Sequence, residues 1–87
     1  MALVWIPSMI RDLSSGQDCV RLPGATVGEV IDALEETYPG IKDRLLKQGR
    51  FVAGIMVTVD GRRALRGLQE RVGGESEVRF LPIISGG

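Results

Sequence analysis

Thr26-Val27-Gly28-Glu29-Val30-Ile31-Asp32-Ala33-Leu34-Glu35-Glu36-Thr37-Tyr38-Pro39-Gly40 is the stretch that decides the fold. Thr26 and Glu29 have the spacing of a capping box, in which each side chain satisfies the other residue's free backbone N–H. Val27, Val30, Ile31, Leu34 and Tyr38 recur at helical spacing and make one apolar face. Glu29, Asp32, Glu35 and Glu36 fall elsewhere on the surface and read as a solvated face. Pro39-Gly40 stops the helix. This is the one long helix that the chain of 87 residues predicts.

Short strands flank it. Leu3 to Ile6 is apolar, contains Val, Trp and Ile, and ends at Pro7. Ser8 to Leu13 is compatible with a helical turn, and Ser14-Ser15-Gly16 marks a turn. Asp18 to Leu22 reads as a second strand, closed by Pro23-Gly24. Beyond the helix, Ile41 to Gln48 reads as a short helical turn or loop with Leu45 and Leu46 packed inward. Phe51 to Val59 is expected as one strand, with Ile55, Val57 and Val59 on one face and Met56 and Thr58 on the other. Asp60-Gly61 is a tight-turn signal. Arg62 to Val72 has room for a short strand and a loop, and Gly73-Gly74 gives a further turn. Glu77 to Ile83 is the last strand. Val78 and Phe80 point one way and Arg79 and Leu81 the other, with Pro82 limiting further ladder pairing.

One helix crossing one mixed sheet of four to five strands is a two-layer α+β arrangement. A hairpin, a crossover helix and further strands in this length fit the β-grasp, or ubiquitin-like, fold. The expected organisation is a β-grasp domain over residues 1–84 and a flexible tail over 85–87. If Val4 and Ile6 face the core, Leu3 and Trp5 lie on the opposite sheet face with Met56, Arg79 and Leu81. Together they make an apolar patch able to dock a partner. A one-residue slip would reverse this and put Trp5 in the core.

Composition narrows the chemistry. Eleven basic residues balance eleven acidic ones, which argues against nucleic acid as the main partner. Histidine, the commonest general base and zinc ligand, is absent. Cys19 is the only cysteine, so it has no partner for an intrachain disulfide, and strand packing is its expected role. No apolar run approaches a bilayer-spanning length, and the first residues lack the basic leader of a signal peptide, so a cytoplasmic location is expected. We find no paired carboxylates at a defensible spacing, no phosphate loop and no nucleophile–base pair. Ser85 reads as a small spacer. No catalytic residue, metal or permanently bound cofactor is expected.

The chain stops at Phe80-Leu81-Pro82-Ile83-Ile84-Ser85-Gly86-Gly87. Glycine has no Cβ, so such a tail can extend into a channel too narrow for other residues. A terminal glycine also leaves the carboxyl carbon open to attack. A carboxylate is a poor acyl donor and needs activation by a partner.

This ending resembles that of the MoaD/ThiS sulfur carriers: an aromatic or aliphatic pair, a proline, apolar residues and Gly-Gly. Weaker matches are Arg11-Asp12-Leu13, Thr26-Val27-Gly28-Glu29-Val30 and Tyr38-Pro39-Gly40. Gly74-Glu75-Ser76-Glu77-Val78 stands in place of the family's usual Asp-Gly-Asp-x-Val turn, and Pro7 stands where relatives often carry an exposed aromatic. The resemblance covers essentially the whole chain. It implies that an ATP-using adenylyltransferase related to ubiquitin-activating enzymes adenylates Gly87. A sulfur donor then leaves a thiocarboxylate, and a biosynthetic enzyme takes that sulfur into cysteine, molybdopterin or a related product. By position, Gly86 and Gly87 match the reactive tail and Leu81 an apolar contact for the activating enzyme. Length and the Ile6-Pro7-Ser8 start resemble the cysteine and molybdopterin carriers more than the shorter thiazole type. Two other readings stand beside it: a protein modifier conjugated through Gly87, and an interaction module that binds through the sheet patch.

Overall fold

The computed structural model describes residues 1–83. Strand β1 (Ala2–Trp5) and strand β2 (Cys19–Leu22) form an antiparallel hairpin with Val4 opposite Val20. The connection carries a 3₁₀ turn at Ser8–Ile10. Helix α1 (Val27–Thr37) follows, then a short helix α2 (Ile41–Leu45). A small ladder joins β3 (Leu46–Lys47) to β4 (Arg50–Phe51). Strand β5 (Ile55–Val59) turns into β6 (Arg62–Arg63), and β7 (Glu77–Pro82) is the last strand. The main sheet has the order β2-β1-β7-β5-β6. At its centre β1 and β7 run parallel, Val4 beside Val78, while β7 and β5 are antiparallel. One long helix over a mixed five-stranded sheet is the β-grasp arrangement expected.

Alternation and helical period converge on one core. Val27, Val30, Ile31 and Leu34 of α1 are fully buried, as are Val4, Ile6 and Val78 on the facing side of the sheet. Ile10, Ile41 and Leu45 close its margins. Tyr38, expected on the same face, is half-buried and packs against this cluster. Trp5 is not core: the register puts Ala2, Val4 and Ile6 inward and leaves Leu3 and Trp5 half-buried on the outer face.

Three expectations change in detail. The capping box is not reciprocal on Thr26. The Thr26 hydroxyl accepts from the Glu29 N–H at 3.2 Å, but Glu29 Oε1 accepts from Ala25, one residue further out, at 2.9 Å. Glu35 is no idle solvated carboxylate, since it accepts from the N–H groups of Gly40 (2.9 Å) and Lys42 (2.8 Å) and so caps α2. Those two bonds hold its carboxyl below the ordinary range. Phe51 to Val59 is not one strand. The chain breaks between β4 and β5, with Gly54 at φ +89°, so that β4 serves the side ladder and β5 the main sheet.

The ladder ends at Pro82, as expected, one residue short of the predicted strand end. Pro82 itself pairs with Ile55, and the Ile83 N–H still donates to the Gly54 carbonyl at 2.8 Å. Successive N–H groups of a strand point to opposite sides. The missing N–H of Pro82 therefore faces the β1 side, where β1 has already ended at Trp5.

The Asp60-Gly61 turn is tight, with φ +54° and +81°, as a type I′ hairpin requires. Asp60 also bolts this turn to the start of β7. One carboxylate oxygen accepts from the Glu77 N–H (2.9 Å) and the other from the Ser76 hydroxyl (2.7 Å), which itself accepts from the Gly73 N–H (2.8 Å). These bonds, led by the Glu77 N–H, pull the Asp60 carboxyl below its ordinary value of 3.8. A depressed folded pKa gives stability that is complete above the unfolded value and lost as pH falls through the folded one. Asp60→Asn keeps a residue that tolerates the turn but turns one acceptor into a donor facing a donor. It is expected to lower stability at neutral pH by about 1 kcal/mol, discounted for exposure. The difference from the parent should begin to shrink as pH falls below 3.8 and vanish only once pH has passed below the depressed folded value. Urea midpoints across that range check both.

Candidate functional site

The outer sheet face carries the candidate site. Its centre is a three-residue lock. Parallel pairing sets Trp5 beside Arg79 and Leu3 beside Glu77. Trp5 Nε1 donates to Glu77 Oε1 at 2.6 Å, and Arg79 Nη2 donates to the same oxygen at 2.6 Å. The Arg79 guanidinium lies 4.7 Å from the centroid of the Trp5 ring. Cation–π contacts at exposed sites contribute about 0.5–1 kcal/mol and exposed ion pairs less. The lock therefore adds little stability. What it does is fix the orientation of the ring and neutralise the two charges at the middle of an otherwise apolar face.

Leu81 stands two residues beyond Arg79 on β7, diagonal to Trp5, and pairs across the sheet with Met56. Trp5, Arg79, Leu81 and Pro82 line a shallow cavity of about 220 Å³ with Pro7 and Met9. The structure thus gathers Trp5, Arg79 and Leu81 at one cavity and sets Met56 against its Leu81 wall. Ser85, Gly86 and Gly87 lie outside the described residues, so the predicted reactive tail has no geometry here. Only Ile83 and Ile84 separate the end of β7 from them in sequence.

A family model described as the ThiS family matches residues 5–87. The chain belongs to the ThiS family. This ThiS-family chain is 37% identical over 90 aligned residues to the sulfur carrier protein CysO of Mycobacterium tuberculosis, covering 97% of this chain and 96% of that one. Among solved structures it resembles a chain of the Amycolatopsis orientalis BexX/CysO complex, with TM-score 0.91 and 34% identity over the full length of both. It also resembles SAMP1 of Haloferax volcanii, with TM-score 0.73 and 26% identity over 99% of this chain and 98% of that one.

Two residues of this surface are not evident from the sequence. Glu77 anchors Trp5, and only the β1–β7 register, which joins residues far apart in the chain, reveals it. Met9 is half-exposed at the cavity rim, within the 3₁₀ turn Ser8–Ile10. Its signal was an apolar residue straight after Pro7-Ser8. Cys19 is a free, half-buried thiol opposite Trp5, in keeping with strand packing. Among the described residues no three His, Cys, Asp or Glu side chains gather to hold a metal, and no helix is long and apolar enough to cross a membrane.

Proposed function

We infer that this protein is a sulfur carrier, the substrate of a partner enzyme and not itself a catalyst. The observation that carries this reading is the likeness to a chain named a sulfur carrier over 97% of this one, together with a family match that runs from Trp5 to Gly87. In the proposed reaction, a Gly87 carboxylate oxygen attacks the α-phosphorus of ATP and expels pyrophosphate. Sulfide delivered by the donor then attacks the acyl carbon and expels AMP with loss of a proton, leaving a thiocarboxylate. ATP belongs to the partner, an adenylyltransferase of the ubiquitin-activating type. The sulfur passes to a biosynthetic enzyme, with cysteine the favoured product.

Gly86 and Gly87 enter the activating site because they carry no side chain. The folded body is held by Trp5, Met56, Arg79 and Leu81, with the ring already oriented so that docking costs less side-chain ordering. That a similar chain is found in a complex with BexX favours a protein that works by docking.

Intact mass tests this directly. With ATP, the cognate activating enzyme and a sulfur donor, the chain is expected to exchange one oxygen for one sulfur at Gly87. An unchanged mass overturns the reading, and adducts on lysines of other proteins would make it a modifier instead. Leu81→Ser is expected to weaken the activating step roughly fivefold or more, through docking alone, since truncating an anchoring contact costs over about 1 kcal/mol. The effect should appear in KM, with kcat and Tm nearly unchanged.

A further inference from the structure

The face opposite in charge character lies away from the Trp5–Leu81 surface. Four of the eleven cations, Arg62, Arg63, Arg66 and Arg71, fall within ten residues of sequence in a chain of zero net charge. Arg62, Arg63 and Arg71 line one concavity of about 630 Å³ at the β6 edge of the sheet. All are exposed, and none forms an ion pair with another described residue, the pairs there being Arg11–Asp18, Lys42–Asp32 and Arg79–Glu77. Leu65 stands in the same concavity and is 85% exposed, the most exposed large apolar side chain described.

Two carboxylates share the lining, but both are engaged by other donors. Asp60 accepts from Ser76 and Glu77, and Glu70 accepts from the Arg66 N–H at 3.1 Å. Arg62 lies near enough to Asp60 to help lower its carboxyl, but among the described residues no guanidinium of the recess forms an ion pair, and guanidinium forks match carboxylates two N–H groups at a time. A leucine this exposed buries almost no apolar surface in the fold.

We propose that this concavity docks an acidic segment of a partner protein, one that sets an apolar residue on Leu65 and carboxylates on Arg62, Arg63 and Arg71. The acidic segment fits better than a membrane. A flat bilayer cannot fill a recess, and one leucine offers little to insert. Nothing in this recess depends on Gly87 or on the sulfur-carrier reading.

The test uses the full chain and a fluorescein-labelled peptide, Glu-Asp-Glu-Leu-Glu-Asp-Glu, read by anisotropy at low salt. Binding is expected to weaken roughly tenfold in R62E/R63E/R71E, as three exposed pairs are lost. It should weaken also in L65S and in high salt. R21E/R44E/K47E makes the same charge change elsewhere and should bind like the parent, as should the chain lacking Gly86-Gly87. If charge reversal unfolds the protein, R62Q/R63Q/R71Q replaces it. Absence of peptide binding, or equal loss in R21E/R44E/K47E, overturns the proposal. So does stronger binding of phosphatidylcholine–phosphatidylserine vesicles than of the peptide, which would make the recess a lipid-facing surface.

Discussion

Deleting Gly86 and Gly87 is expected to reduce sulfur loading by roughly 100-fold or more while leaving the folded body as stable as before. Shortening the tail by two residues retracts the terminal carboxylate by about 7 Å. Misplacing a reacting group by even 1 Å can cost about 100-fold in rate. The new terminus, Ser85, also brings a side chain to the carbon that must be attacked. The core and main sheet are built within residues 2–82, so thermal unfolding should not shift. The paired measurement separates a chemical role from a structural one. Loading by intact mass should collapse while Tm holds. If the truncated chain is loaded as well as the parent, the terminal carboxylate is not the sulfur site.

The largest expected effect on folding comes from Leu34→Ala in α1. Leu34 is fully buried in a cluster with Val30 and Ile31. Removing a buried leucine side chain costs about 2–5 kcal/mol, including the cavity left behind. A chain of 87 residues has about 4–13 kcal/mol in total. One substitution therefore consumes a large share of the margin and is expected to lower Tm by roughly 10 °C or more. Chemical denaturation should show a lower midpoint with an unchanged slope. A loss under about 1 kcal/mol would mean that α1 does not pack on the sheet as described.

The proposed docking face and the proposed acidic-segment recess make different demands on the same small body. The first is apolar and internally neutralised by the Glu77–Arg79 pair. The second gathers three arginines at the β6 edge that form no ion pair among the described residues. A carrier that meets several partners in turn could separate them in this way, one by apolar contact and one by charge.

Helix α1, the inward and outward faces of β1, β5 and β7, and the Asp60-Gly61 turn were all legible in the sequence. Each is written locally: a cap three residues from its partner, a period of 3.6 or 2, a turn dipeptide between apolar runs. The Gly-Gly ending, the basis of the functional reading, is equally plain on the line. Tertiary structure alone decided the rest. Local pattern cannot say that β1 lies parallel to β7, because that pairing joins residues more than seventy positions apart. The Trp5–Glu77–Arg79 lock follows from it and was invisible without it. The same holds for the break before β5, where apolar residues that read as one strand are divided between two ladders. It holds too for the recess that gathers Arg62, Arg63 and Arg71 around Leu65. Local signals set what each segment becomes, whereas burial of one shared core sets which segments meet.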